Sequence, residues 1–469
     1  MKFNRFFAFA FIASVAAFGF ISCSDKDEDT NTKPSNNTTP GKVAILSEVD
    51  YSYEEIADEA FGVGPMGIAI RNAAGENGGD TLNEMERLFA DMRADFEEDV
   101  QTAVDLEGST NGSGDKDAFE VKVMTIEYNS IGADGNPLRV SGNLSYATIN
   151  GEPYVKNLLV SCHPTSFNDG MMSQTNFKNL AADGLAILEP HYEGLGSSRN
   201  KIQCYLCQKT IGRQCGDMIP AAVEVLAQQG ITLPADHFTS IIGYSQGGGN
   251  AMATARYIQE EAPASLRELA NVRKVCCGAG PYDPMATFQH WLTSDSVSFS
   301  SVLPLVIRGM MQGHADVMSG ITLSEYFSEL YKSTGVIESI ETGGMGAMTV
   351  DASDALSSIR LGTVGIMQYW MRFSGIMSEE CANPDSRIRK ALEQCLQAEI
   401  VNDWTPRCAV EIYSSRKDNV IPYQANALAT YNKFRDAGVN VELINTSTLD
   451  HLLSQVNWQF RINSKKTYK

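Results

Sequence analysis

A five-residue stretch in the middle of the chain has the residue types and spacing of an activated serine. It reads Gly243-Tyr-Ser245-Gln-Gly247, and it lies between an apolar strand-like run and a run of small residues that is typical of a helix start. Glycines two residues before and after the serine let the two backbones approach in a sharp, strained turn that projects the hydroxyl. We therefore predict that Ser245 is a nucleophile and that Gly243 and Gly247 form its turn.

A serine hydroxyl attacks well only when a base removes its proton and an acid orients that base. In enzymes that place the serine on such a strand–turn–helix, the acid and then the histidine follow it along the chain, on loops after later strands. The sequence has six histidines, and only His451 follows the last predicted strand. We predict that His451 is the base; a surface histidine near the C-terminus is the alternative interpretation.

Four aspartates are candidates for the acid: Asp403, Asp418, Asp436 and Asp450. The first precedes a predicted strand, the third ends a helical stretch that is expected to face solvent, and the last adjoins His451 and would have to turn back onto its ring. Asp418 lies in a loop after the strand-like residues 409–413 and before a helical stretch. We predict that Asp418 is the acid.

Stabilising the negative oxygen of an acyl-transfer intermediate requires two backbone N–H groups, one of them from the residue after the nucleophile. Gln246 is that residue. The second donor is expected in the loop after an early strand, which here contains His163-Pro-Thr165. Proline has no N–H group, so Thr165 is the predicted donor. His163 precedes the serine and is expected to shape this loop.

These pieces resemble the secretory lipases of the α/β-hydrolase superfamily, in which they recur in the same order. The resemblance extends over roughly residues 119–469 and includes Gly184-Leu-Ala-Ile-Leu-Glu-Pro-His-Tyr-Glu-Gly-Leu-Gly-Ser197 and Gly278-Ala-Gly-Pro-Tyr-Asp-Pro284. The chain departs from the family's pattern at His191, where aspartate is frequent, and at Pro164, where glycine is frequent. The resemblance implies hydrolysis of carboxylic esters through an acyl-enzyme.

The elements around these residues indicate an α/β fold. Period-two alternation begins at Phe119 and, after a turn, continues to Tyr146, which predicts an antiparallel hairpin. Strand-like runs at 157–161, 185–189, 239–243 and 274–277 then alternate with helical stretches and resume at 408–413 and 439–444. This alternation predicts a mostly parallel central sheet flanked by helices. We assign residues 118–284 and 405–469 to an α/β-hydrolase core and residues 285–404 to a mostly helical cap inserted into it.

The cap is rich in apolar side chains. It contains nine of the chain's 18 methionines, together with Phe288, Trp291, Trp370 and Phe373. Methionine side chains are flexible and can adapt to varied ligands, so the composition favours a small-molecule ester with a hydrophobic acyl group. Packing of the cap helices on one another is the alternative role of these residues.

The N-terminus has the features of an export signal. Basic residues, an apolar stretch and Ser22-Cys23 predict a signal peptide over residues 1–23. A cysteine at this point resembles the lipobox of bacterial lipoproteins, so Cys23 is the predicted lipid anchor to a membrane. Residues 24–42 are polar and predict a disordered tether, and an acidic run within them favours display of an outer membrane lipoprotein on the cell surface over the periplasmic side. Residues 43–117 are expected to form a helical segment, with an amphipathic helix over 82–104.

Composition excludes some classes of function. The net charge of −20 repels phosphate backbones, so no nucleic acid partner is expected. The chain has ten cysteines, including Cys204-Tyr-Leu-Cys207, but no second such pair and no histidine cluster at metal-ligand spacing. We expect no metal and no cofactor, and we expect the cysteines either to form a local disulfide or to be buried thiols.

Two other functions remain open at this stage. The same three residues would also serve a serine peptidase, because the sequence does not show whether the pocket holds a peptide. A non-catalytic surface lipoprotein that binds glycans or peptides is a third interpretation, which the presence of all three residues in order disfavours.

Overall fold

The computed structural model describes residues 43–61, 79–108, 115–166, 177–294, 302–333, 337, 373–446 and 449–469. One ten-stranded sheet runs through these residues, in the order β1-β2-β3-β6-β5-β7-β8-β9-β10, with β4 paired to β3. The strands are β1 Val43–Ser52, β2 Phe119–Ile131, β3 Pro137–Ile149, β4 Glu152–Tyr154, β5 Asn157–Cys162, β6 Leu185–Pro190, β7 Thr239–Tyr244, β8 Val272–Gly278, β9 Ala409–Ser415 and β10 Val441–Thr446.

Helices lie between the strands. They are α1 Tyr53–Phe61, α2 Gly79–Gly108, α3 Gln208–Gln228, α4 Gln246–Arg256, α5 Ala264–Ala270, α6 Pro284–Thr293, α7 Val302–Gly313, α8 Glu329–Lys332, α9 Phe373–Ile376, α10 Glu379–Ala382, α11 Arg387–Ala398, α12 Ala429–Asp436 and α13 His451–Lys465. Short 3₁₀ segments occupy Lys116–Ala118, Lys178–Asp183, Gly196–Ser198 and Leu323–Tyr326, and π-helical segments occupy Tyr257–Glu261 and Gln424–Leu428.

The six strands from β5 to β10 pair parallel with one another, whereas the pairs among β1 to β4 and the pair of β3 with β6 are antiparallel. Each residue of β7 is buried, as expected for a strand whose sheet is covered by helices on both faces. Parallel strands place their carboxyl ends on one edge of the sheet, where ligands bind in open α/β sheets. The loops after β5, β7, β9 and β10 therefore share that edge.

The segment 43–117 differs from its predicted helical character, because its first ten residues form β1. This strand pairs antiparallel with β2 at the end of the sheet. It was missed because most of its side chains are exposed, including Leu46 and Val49, so the strand carries little apolar alternation. The predicted amphipathic helix corresponds to α2, which buries Met92 and Phe96.

Helices α6 to α11 all lie between β8 and β9 in the chain, in the segment 285–404 that we call the cap, with α6 beginning one residue earlier. Its described residues pack mainly through aliphatic side chains, among them Leu305, Met310 and Leu392, which are almost fully buried. The cap is continuous with the hydrophobic core on one face of the sheet. It is therefore packed onto the sheet through an apolar interface.

No helix in the described part of the chain is long and apolar enough to cross a membrane. The predicted signal peptide, Cys23 and the tether lie outside the described residues.

Candidate active site

Ser245 lies at the turn between β7 and α4 in a backbone conformation that L-residues rarely adopt, with φ 57° and ψ −123°. Both flanking glycines are required there. A Cβ atom on Gly243 would overlap the carbonyl oxygen of Gly247, and one on Gly247 would overlap the carbonyl oxygen of Cys162. The Ser245 N–H donates to the carbonyl of Gly278 at 2.8 Å, which fixes the turn.

His451 connects the other two predicted residues. Its Nε2 lies 2.8 Å from Ser245 Oγ, and its Nδ1 lies 2.8 Å from Asp418 Oδ2. The carboxylate can only accept, so Nδ1 carries the proton and Nε2 is left to accept from the serine hydroxyl. This is the tautomer that general-base removal of the serine proton requires.

Asp418 lies in the loop after β9 and its side chain is completely buried. Oδ1 accepts from the N–H groups of Val420 and Ile421 at 2.9 and 2.8 Å, which leaves Oδ2 pointing at the histidine. The carboxylate is thus compensated without a cation. Two of the other candidate aspartates pair elsewhere: Asp403 with Arg256, and the exposed Asp436 with Arg435 at 2.8 Å.

Sequence reasoning missed two groups that hold His451. The phenol of Tyr244 donates to the His451 carbonyl at 2.6 Å, and the Asn419 amide oxygen accepts from the His451 N–H at 3.2 Å. Both residues are neighbours of site residues in the chain, but nothing in their type indicates this role. They fix the backbone at the start of α13, so the imidazole position does not depend on its side-chain hydrogen bonds alone.

The two predicted oxyanion donors lie on the walls of one cavity with Ser245. Gln246 is the first residue of α4, where helix N–H groups are unpaired and the helix dipole favours negative charge. Thr165 lies in the loop after β5, and its hydroxyl is 2.6 Å from the hydroxyl of Tyr205. The phenol therefore holds the Thr165 side chain at the wall of the cavity that Ser245 also lines.

His163 belongs to the same loop, and its buried ring stacks on Tyr192 with ring centroids 3.8 Å apart. Burial lowers its pKa to about 4, although hydrogen bonds to the carbonyls of Pro164 and His191 favour the protonated form. Tyr192 donates to the His163 carbonyl at 2.9 Å. The ring therefore supports the loop, which is the role predicted for His163 from the sequence.

The cavity beside Ser245 has a volume of ≈50 Å³. Cap helices α6, α7 and α11 form most of its wall, with the loop after Asp418 on one side. Phe288 and Trp291 line it, as do several branched aliphatic residues, but Met377 is the one lining methionine within the described sequence. The cap methionines were expected to give an adaptable surface, whereas the wall is mostly branched side chains. Trp370 and the side chain of Phe373 lie outside the described residues.

The Cys204-Tyr-Leu-Cys207 segment contributes Tyr205 and Leu206 to the cavity wall. Nine cysteines of the described sequence are free and buried, so the alternative of buried thiols describes them and a local disulfide does not. Burial raises the pKa of the Cys204 and Cys207 thiols well above the ordinary value. The described residues contain no group of three or more His, Cys, Asp or Glu side chains that could hold a metal ion.

The chain is similar to several solved structures over most of its length. The chain is similar to the rice cell wall degrading esterase LipA from Xanthomonas oryzae in a ligand-bound form, with a TM-score of 0.62, 17% identity, and 90% of this chain and 97% of that chain covered. A second LipA structure gives a TM-score of 0.59 at 20% identity, covering 78% and 94%. Candida antarctica lipase A in its closed state gives 0.51 at 14% identity, covering 74% and 78%.

No protein-family model matches the sequence, and a search of curated proteins found no relative. At the identities above, the structural likeness concerns the fold alone. It confirms the predicted fold class: the chain has an α/β-hydrolase fold, with a central sheet flanked by helices.

Proposed function

We propose that the protein is a serine hydrolase that cleaves carboxylic esters through an acyl-enzyme on Ser245. The observation that carries this proposal is the position of His451, whose two ring nitrogens lie 2.8 Å from Ser245 Oγ and from Asp418 Oδ2. Nucleophile, base and orienting acid are thus in hydrogen-bond contact at the edge of a cavity that an acyl group can enter.

The reaction follows from these contacts. His451 removes the hydroxyl proton as Oγ attacks the carbonyl carbon, and the N–H groups of Gln246 and Thr165 stabilise the oxygen that becomes negative. His451 then gives the proton to the departing alcohol. A water that His451 deprotonates attacks the acyl-enzyme, and His451 returns this proton to Oγ as the acyl–Oγ bond breaks and the acid leaves. Asp418 stays ionised and stabilises the imidazolium at both steps.

Hydrolysis of p-nitrophenyl butyrate by the purified full chain tests the proposal. We expect turnover that Ser245→Ala abolishes, together with covalent labelling of Ser245 by a fluorophosphonate. The matched control is Ser333→Ala, which removes an exposed cap serine and is expected to retain the activity of the unaltered chain. A folded protein that is labelled by the fluorophosphonate but cleaves no ester would contradict the substrate class.

A serine peptidase is the second candidate, because the same three groups cleave amides. The cavity favours esters: it lies against apolar cap helices, and its described lining has no charged side chain that would hold a peptide terminus. Assay of peptide amides beside esters separates the two functions. A non-catalytic binding role requires that the serine remain unreactive, so fluorophosphonate labelling tests it directly.

We also propose that the protein is an outer membrane lipoprotein that is anchored through a lipid on Cys23. The order of basic residues, apolar stretch and Ser22-Cys23 supports this, and the acidic run that follows favours the cell surface over the periplasmic face. Metabolic labelling with an alkyne fatty acid should mark the native chain and not a Cys23→Ser variant. Protease treatment of intact cells then reports the membrane face.

A further inference from the structure

The cavity beside Ser245 is small, and cap helices form most of its wall. At ≈50 Å³ it has room for about four water-sized groups. Its wall includes Ser245 and both predicted oxyanion donors, so the carbonyl group of an ester would lie at its mouth. The acyl group stays attached to the serine while the alcohol leaves. A narrow apolar volume at the serine therefore suits the acyl group, which does not have to leave until the second step.

The wall of this cavity is stiff as well as apolar. Helix α7 contributes Leu303, Val306 and Ile307, and α11 contributes Leu392 and Leu396. Leucine and β-branched side chains have few rotamers in helices, unlike the methionines that were expected here. None of the described lining residues carries a charge, so an ionised acyl group would lose its hydration without compensation. Such a wall favours discrimination by size and by charge.

Glu399 holds the two cap helices in this position. It is almost fully buried directly after α11, and Oε1 lies 2.8 Å from Nε2 of His314, which follows α7. Oε2 accepts the N–H of Lys209 in the first turn of α3 at 3.1 Å. One carboxylate thus joins the ends of α7 and α11, two of the three wall-forming cap helices, to a helix of the core.

Gln208 continues the contacts of Glu399 towards Ser245. Its buried Nε2 donates to the carbonyls of Glu399 and Pro281 at 2.9 and 3.0 Å. Its side chain also packs directly on α4, where a Cβ atom on Gly249 would overlap Oε1 of Gln208. The cap wall and the helix that follows the nucleophile are therefore held by one side chain, which fixes the depth of the cavity relative to Ser245.

We propose that this cavity receives the acyl group and selects uncharged chains of up to about four carbon atoms, with Leu396 as a specificity-determining residue and Glu399 as the positioning residue for the wall. The inference rests on the proposed ester hydrolysis. It goes further by assigning short-chain esters as the substrate class and by excluding long-chain lipids and dicarboxylate half-esters.

Rates of p-nitrophenyl acetate, butyrate, hexanoate and decanoate hydrolysis by the full chain test this. We expect kcat/KM for butyrate to exceed that for decanoate by at least about tenfold, and a smaller ratio overturns the proposal.

Leu396→Ala removes three carbon atoms from the wall, so it should raise the hexanoate-to-butyrate ratio of kcat/KM by at least about fivefold. The matched control is Leu323→Ala, which makes the same change at an equally buried cap residue away from the cavity. Equal profiles for the two variants would contradict the role of Leu396.

The role of Glu399 has its own readout. Glu399→Ala should lower the butyrate-to-decanoate ratio by at least about threefold because the wall loosens. Glu399→Gln can still accept the Lys209 N–H and should restore most of the ratio. A loss of activity that is equal for all chain lengths in Glu399→Ala would show a structural role alone and would contradict positioning.

A measurement on the unaltered protein covers the case in which a variant does not fold. Alkylboronic acids from methyl to decyl bind an active serine without turnover, and we expect inhibition to strengthen up to butyl and to weaken beyond it. Inhibition that continues to strengthen to decyl overturns the inference. Ester cleavage without a length limit contradicts this inference alone, whereas labelling of Ser245 without cleavage of any ester contradicts the proposed function.

Discussion

Asp418 and His451 lie 33 residues apart in the chain and are joined by a 2.8 Å hydrogen bond between Oδ2 and Nδ1. The second carboxylate oxygen is held by two backbone N–H groups, so the aspartate cannot rotate away without losing both. The acid is therefore fixed in the orientation that sets the tautomer of the histidine before any substrate binds.

Asp418→Asn should lower kcat by about 10³- to 10⁴-fold while the protein stays folded. The amide can donate to Nδ1 as well as accept, which favours the tautomer with the proton on Nε2 and prevents that nitrogen from receiving the serine proton. Ester turnover with circular dichroism on the same sample measures both effects. Asp436→Asn is the control, since Asp436 is exposed and pairs with Arg435. A comparable loss in both variants would contradict the assignment of the acid.

The contact among Ser245, His451 and Asp418 could be predicted because each residue carries a local signal. Ser245 has glycines at fixed offsets, and Asp418 and His451 each follow a strand-like run. The chain order then leaves few alternatives. The parallel sheet was predictable for the same reason, since its buried strands are continuous apolar runs between helical stretches.

Other features depend on contacts between distant segments and leave no local pattern. Strand β1 is mostly exposed, so its sequence lacks the alternation of a half-buried strand. Tyr205 reaches the site because cap helix α7 packs directly on its backbone, where a Cβ atom on Gly309 would overlap it. The branched wall of the cavity depends on how the cap helices are rotated against the core. The number of methionines in the cap does not determine that rotation.

Gly243→Ala should destabilise the fold by more than about 3 kcal/mol, because the added Cβ meets backbone atoms that cannot move without opening the turn. Gly230→Ala is the comparison. Gly230 has a positive φ of 77° but open space around it, so alanine there should cost only about 1 kcal/mol of backbone strain. Urea unfolding of both variants measures the difference. Equal losses would mean that the close approach at Gly243 is not required.

The buried His163 should make stability fall in mild acid. Burial holds its pKa at about 4 in the folded protein, against 6.5 for an ordinary histidine. Between these values the unfolded chain binds a proton that the folded protein does not. The contribution of His163 to the free energy of unfolding is therefore fully present above pH 6.5 and decreases as the pH falls towards 4. The loss over that interval amounts to about 3 kcal/mol.

His163→Phe keeps a ring against Tyr192 and removes the titrating group. We expect its free energy of unfolding to fall by less than that of the unaltered chain between pH 7 and pH 4, with a difference of about 3 kcal/mol. His237→Phe, at a half-buried position away from the site, controls for the loss of a histidine with two carbonyl contacts. A pH profile for His163→Phe that parallels the unaltered protein would contradict the assignment.

Tyr205→Phe tests whether the hydroxyl contact to Thr165 positions the second oxyanion donor. The Thr165 hydroxyl lies 2.6 Å from the Tyr205 hydroxyl. Without the Tyr205 hydroxyl this hydrogen bond is lost, and the loop after β5 can shift relative to Ser245. Because the donor acts on the charged intermediate, kcat should fall by about tenfold while KM changes little. The matched control is Tyr257→Phe. It removes a hydroxyl that donates to Asp217 at 2.9 Å, and neither residue lines the cavity. An increase in KM with unchanged kcat would place Tyr205 in substrate binding, and an unchanged kcat/KM would show that Thr165 needs no such support.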